Sequence, residues 1–151
     1  MPCCSRVWSR PGTIQPATVG LLERLCAASY DVLLETNGTI DIRPVPRCVT
    51  RIVDVKTPAS GMAEHNLWHN LTCVTNKDEV KFVLCDRRDY EWAGDIVRQY
   101  ELAVRTTVLF SPARRRLAAR RLAGWILDDR LDVRLNLQWH RVLWPERDRG
   151  V

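Results

Sequence analysis

Val49-Thr50-Arg51-Ile52-Val53-Asp54-Val55 reads as an apolar strand, and Lys56-Thr57-Pro58-Ala59-Ser60-Gly61 behind it reads as a loop of small residues. Comparable short runs rich in Val, Ile and Leu recur at 31–35, 80–85, 105–110 and 133–137. Helical spacing fills the intervals. A helix starts near Pro16 and carries Val19, Leu22, Leu25 and Cys26, a short one lies at 66–75, and a longer one spans 89–102. A fourth carries Leu117, Leu122, Trp125 and Ile126. Strands alternating with helices predict an α/β fold, and the continuous apolar runs predict a parallel sheet covered on both faces. Five strands do not close a barrel, so the architecture is an open sheet or a section of one.

Residues 1–15 show no periodicity and contain Pro2, Pro11 and Gly12, which predicts an irregular leader. The chain has 151 residues, 46% hydrophobic and 27% charged, enough for one domain with a core and unlike a disordered or fibrous chain. No apolar run is long enough for a membrane span and no signal-peptide core follows Met1, so the expectation is a cytoplasmic protein. The formal charge of +5 permits an anionic partner, but no aromatic-basic motif of an RNA-binding domain accompanies it, and nucleic acid is not the expected ligand. The cysteines at 3, 4, 26, 48, 73 and 85 form no C-x-x-C pair and no regular frame, so no disulfide is expected.

In parallel α/β sheets, ligand chemistry gathers at the C-terminal ends of strands. Those ends hold Glu35-Thr36-Asn37-Gly38, Asp54-Val55-Lys56-Thr57, Cys85-Asp86-Arg87 and Ser111-Pro112. The glycine at 38 suits a close backbone approach to a ligand, though a plain Asn-Gly turn explains it too. Asp54 and Lys56 alternate to one side of their strand, where a carboxylate could accept from ribose hydroxyls, or the two could form an ion pair at the sheet edge. His65 and His69 have helical i, i+4 spacing but lack a third ligand, so no metal site is assigned. Arg114, Arg115, Arg116, Arg120 and Arg121 fit the solvated side of an amphipathic helix. His140, beside Trp139 and Trp144, suits either a site or a packed position.

Taken in order, Gln15-Pro16-Ala17-Thr18, Glu35-Thr36-Asn37-Gly38-Thr39, Val53-Asp54-Val55-Lys56-Thr57-Pro58, Val80-Lys81-Phe82-Val83, Leu109-Phe110-Ser111-Pro112 and the run from Arg134 to Trp144 resemble the 7-carboxy-7-deazaguanine synthases. The resemblance runs from about residue 13 to the end. It implies a partial TIM-like barrel of parallel strands with covering helices, and a cytosolic homodimer. It also implies a radical S-adenosylmethionine lyase of queuosine biosynthesis that converts 6-carboxytetrahydropterin to 7-carboxy-7-deazaguanine with a [4Fe-4S] cluster and Mg²⁺. By matching positions, Thr36, Asp54, Val55, Lys56 and Ser111 would contact S-adenosylmethionine, while Glu35 and His140 would serve the pterin substrate as catalytic residues.

Two family features have no counterpart here. The cluster-holding loop, C-x3-C-x2-C or with a longer first gap, is absent together with its Mg²⁺-binding threonine, and Ser9-Arg10-Pro11-Gly12 stands where the family has Gly-Gly-Glu-Pro. The resemblance therefore implies the C-terminal part of such an enzyme at 13–151, with an unrelated leader at 1–12, left by a frameshift or a misplaced start. Turnover would then need a separate N-terminal piece carrying the cluster. The competing expectation is a non-catalytic module that keeps nucleoside or pterin affinity.

Overall fold

The computed structural model describes residues 14–139, 143 and 144 with their side chains and the backbone of residues 5–8. Along the chain run β1 (Ser5–Trp8), α1 (Pro16–Ala27), β2 (Val32–Thr36), β3 (Thr50–Val55), α2 (His69–Cys73) and β4 (Glu79–Leu84). They are followed by α3 (Arg87–Gln99), α4 (Leu102–Arg105), β5 (Thr107–Pro112), α5 (Ala119–Asp128) and β6 (Arg134–Leu135). The α/β class and the alternation of elements agree with the sequence pattern. All six strands are parallel, and their order across the sheet is their order along the chain.

That order has a geometric consequence. Parallel crossovers are right-handed, so stepping always to the next neighbour brings every connection to the same face. The core follows this rule: Leu34, Val53, Val80, Phe82, Val108 and Phe110 alternate onto one face, where they pack with Leu22, Tyr90, Ala93, Val97 and Leu122 from the helices. Phe82 and Phe110 meet edge to face at 5.6 Å, and Tyr90 stacks edge-on against Phe110 at 5.8 Å. The β2–β3 connection lacks a helix, and Ile40, Ile42, Val45 and Val49 supply its apolar cover instead.

The expectation of helices on both faces is thus corrected. In β4 burial alternates residue by residue, and the residues facing away from the helices include Glu79 and Lys81. Apolar content alone could not show this, because the polar residues of the second face are interleaved within each run. The irregular leader is corrected as well, since the backbone of Ser5–Trp8 pairs with β2 from Ser5↔Val32 to Trp8↔Glu35. A four-residue edge strand is too short to show periodicity, and its ladder comes from the neighbour.

The helix expected at 89–102 is two. Glu101 takes a left-handed conformation, φ 49°, and separates α3 from α4. The helical stretch at 66–75 shortens to α2 behind a 3-10 turn at Ala63–His65, and the strand at 133–137 to Arg134–Leu135. Cys26 and Cys48 are joined in a disulfide, contrary to the sequence expectation, and tie α1 to the segment before β3. Their separation of 22 residues carries no motif that spacing could reveal. Among the described residues no helix is long and apolar enough to cross a membrane.

Candidate functional site

Register places the polar residues on the open face of the sheet. Glu35 aligns with Ile52 and Ile52 with Glu79, while Asp54 aligns with Lys81 and Lys81 with Leu109. In-register residues of parallel strands share a face, so Glu35, Asp54 and Lys81 lie together away from the helices. Two ion pairs organise them. Lys81 Nζ donates to Glu35 Oε1 at 2.6 Å, reaching across β3, and Lys56 Nζ donates to Asp54 Oδ2 at 2.7 Å. The side chains of Glu35 and Lys81 are only 10% and 13% exposed, which places this pair well below the rim.

Asp54 carries the unusual feature of the face. Its Oδ1 is buried and has no hydrogen-bond partner among the described residues. Buried acceptors are normally satisfied, so this atom is an open seat for a donor. Lys56, the ion-pair partner of Asp54, also lines a hollow of about 510 Å³ with Asn37, Thr39, Met62 and His65 at the ends of β2 and β3.

Gly38, singled out in the sequence for close backbone approach, and the side chains of Asn70, Asn66 and Asp89, which were not, hold this mouth in shape. Gly38 sits at φ +73°, and a Cβ there would lie 2.5 Å from the carbonyl oxygen of Asp54, so only glycine lets the β2 turn press against the end of β3. Asn70 donates to the carbonyls of Gly38 and Ile40 and accepts from the N–H of Ile42. Asn66 brackets Lys56, accepting from its N–H at 2.9 Å and donating to its carbonyl at 2.8 Å. Asp89, fully buried at the start of α3, accepts from Thr57 Oγ1, Ala59 N–H and Cys85 N–H. It therefore ties the loop after β3 to the end of β4. A carboxylate three residues after Asp86 in a helix start was the available signal, but it reads equally as a solvated first turn.

The predicted residues separate by face. Glu35, Asp54 and Lys56 come together on the open face. Ser111 shares it by register, fully buried with its Oγ accepting from Asn136 Nδ2 at 3.0 Å. Thr36 and Val55 alternate to the helix-covered face, Val55 within the core and Thr36 with its Oγ1 buried and without a hydrogen-bond partner among the described residues. His140 lies outside the described residues. His65 and His69 do not share a helical face, because the extended Asn66 lies between them. His65 faces the hollow, and His69 Nε2 meets Cys73 Sγ at 3.2 Å. Among the described residues no three His, Cys, Asp or Glu side chains gather as a metal site.

Beneath the face, Asp78 locks the start of β3. Burial pushes its carboxyl up, but hydrogen bonds from the Arg51 guanidinium and from the N–H groups of Arg51 and Thr75 outweigh it, so the carboxyl titrates below its ordinary value. Tyr90, buried under α5 with its hydroxyl donating to the Trp125 carbonyl, is pushed up to about 12, first by burial and then by Asp129.

No protein-family model matches the chain. Curated relatives do. It is 43% identical over 146 residues to 7-carboxy-7-deazaguanine synthase of Koribacter versatilis, covering 88% of this chain and 65% of that protein. The enzyme of the same name from Chlorobaculum tepidum is 37% identical over 153 residues, covering 99% and 69%. That of Clostridium acetobutylicum is 29% identical over 140 residues, covering 87% and 63%. The chain thus spans about two thirds of the length of these relatives.

Proposed function

The chain belongs to the 7-carboxy-7-deazaguanine synthase family, and from that premise we propose that its open sheet face holds the nucleoside cofactor and the pterin of that reaction. In this reading the sheet is an arc of a partial barrel, and the pathway served is queuosine biosynthesis. The observation that carries it is Asp54 Oδ1, a buried acceptor without a partner among the described residues, on a carboxylate paired with the lysine that lines the hollow. A ribose hydroxyl is a donor suited to that atom, and Lys56 suits the carboxylate or ring acceptors of S-adenosylmethionine. Asp54 and Lys56 would hold the cofactor, with Ser111 farther along the same face. If another segment provided a reduced cluster beside it, S-adenosylmethionine would supply hydrogen abstraction by a radical.

What the chain itself does is bind, orient and exclude water. Asn66 and Gly38 keep Lys56 and the end of β3 in place, and the Glu35 carboxylate offers acceptors to the N–H edge of a pterin. The described residues do not fit a [4Fe-4S] cluster or its Mg²⁺: Cys26 and Cys48 are bonded to each other, and Cys73 and Cys85 join no group of three ligands. That mismatch favours the second reading, a module that binds nucleoside or pterin without turnover unless another segment brings the cluster. In both readings the face acts as a homodimer subunit's ligand site.

Isothermal titration with S-adenosylmethionine tests the shared claim: saturable binding that Asp54→Asn abolishes supports it, and equal binding by the variant refutes it. Anaerobic reconstitution with iron and sulfide separates the readings. No 5′-deoxyadenosine is expected from this chain alone, and its release would establish independent catalysis.

A further inference from the structure

The loop from Lys56 to Asn66 carries Met62 and His65, which line the hollow together with Lys56 itself. Its own hydrogen bonds run along it. The Thr57 carbonyl accepts from the N–H and the Oγ of Ser60, Ser60 Oγ accepts from the Met62 N–H, and the Met62 carbonyl accepts from the His65 N–H. Asn66 closes one end of this relay on the backbone of Lys56. Asp89, 32 residues beyond Thr57 at the start of α3, closes the other. Its Oδ1 accepts from the Ala59 N–H and its Oδ2 from Thr57 Oγ1 and the Cys85 N–H, each at 3.0 Å. Thr57 Oγ1 also reaches the Val83 carbonyl at 3.2 Å, and the Cys85 thiol lies against the same carboxylate.

We propose that Asp89 is a positioning residue for the hollow: it fixes the start of this loop against the end of β4, sets through the Ser60 relay where Met62 and His65 stand, and acts on a nucleoside ligand only through them. This deepens the reading above and rests on it. The Thr57 hydroxyl and the N–H groups of Ala59 and Cys85 all donate, so the position needs an acceptor at both oxygens. An amide cannot replace the carboxylate there, because its NH2 would face a donor and leave a buried polar group unpaired. Asp89 is 1% exposed and is not among the residues lining the hollow, which places it beneath the wall and out of contact with a ligand. Past Ser60 the packing is loose: a Cβ on Gly61 would meet no atom within 4 Å, and Met62 is 44% exposed. The Met62 side of the hollow therefore takes its shape from the anchored ends of the loop.

The full chain holds two methionines, Met1 and Met62, so ¹³C-methyl methionine labelling puts a probe on the wall of the hollow. The experiment reads that signal in the free chain and, separately, the affinity for S-adenosylmethionine. Asp89→Asn is expected to move the Met62 methyl and to weaken S-adenosylmethionine about tenfold. Thr57→Val, which removes one donor and keeps the shape, should do the same to a smaller extent and serves if Asp89→Asn does not fold. Thr57→Ser, which keeps the hydroxyl, should bind like the wild type. Val97→Ala, a cut into the core on the same helix, should lower the melting temperature and leave both the affinity and the Met62 methyl in place. An unmoved Met62 methyl in Asp89→Asn and Thr57→Val overturns the inference, whatever the affinity does. Equal losses of affinity in Val97→Ala and Asp89→Asn overturn it too, because they reduce the effect to stability. If the wild type binds no S-adenosylmethionine, the cofactor reading fails, while a Met62 shift in Asp89→Asn that Val97→Ala lacks still upholds the positioning of the wall.

Discussion

The two faces of the sheet are built by alternate residues of the same strands, and they do opposite things with them. On one, Leu34, Val53, Phe82 and Phe110 are sealed under α1, α3 and α5. On the other, Glu35, Asp54 and Lys81 stand one residue away along each strand, paired as ions and retaining one unsatisfied acceptor. Apolar packing is concentrated on the first face and the lysine–carboxylate pairs on the second. Because the strand period is two, a one-residue slip would exchange them, so the packed face also fixes where the charged one points. The packed cluster lies on the first face, and Ile52 is a buried apolar residue that register places on the second.

The sharpest way to break this contrast is to cut into the packed face. Phe82→Ala should cost about 3–5 kcal/mol in urea unfolding, since its fully buried ring touches Trp92 and Phe110. A cost below about 1 kcal/mol would mean that this face is not the core. Next in size is the disulfide that pins α1 to the segment before β3. Replacing Cys26 and Cys48 by serine should cost about 3 kcal/mol by loop-closure entropy, read as the loss of unfolding free energy against the oxidised wild type.

Titration probes the underside of the packed face. Asp78 titrates lower in the folded chain than in the unfolded one, so its stabilisation is fully present above its ordinary range near 3.8 and is lost as pH falls through its folded value. Melting temperature should decline from about pH 4 downward, and Asp78→Asn should flatten that decline. Tyr90 sets the opposite edge: its folded value is raised, so its contribution holds below 10 and is lost as pH rises towards about 12. The smallest effect on stability belongs to the open face. Asp54→Asn should shift unfolding by less than about 1 kcal/mol, with the loss appearing in ligand affinity instead.

The same contrast explains what could be read from the sequence. Short apolar runs separated by helical periods state the element order directly, and Asp54-x-Lys56 states that two charges share a side, because both facts are local. Which residues across the sheet join them is not local: Glu35 meets Lys81 only through the register of three strands. Asn66, Asn70 and Asp89 resemble ordinary polar loop and cap residues until the fold folds them back onto β2, β3 and β4. The bond between Cys26 and Cys48 depended on the same kind of long-range approach.

The most direct test of the division between faces is a map of amide chemical-shift changes as S-adenosylmethionine is titrated into the ¹⁵N-labelled chain. The account predicts changes concentrated at Asn37, Thr39, Asp54, Lys56 and His65, with the amides of α3 and α5 unmoved. Changes centred on those helices, or no saturable change anywhere, would contradict it.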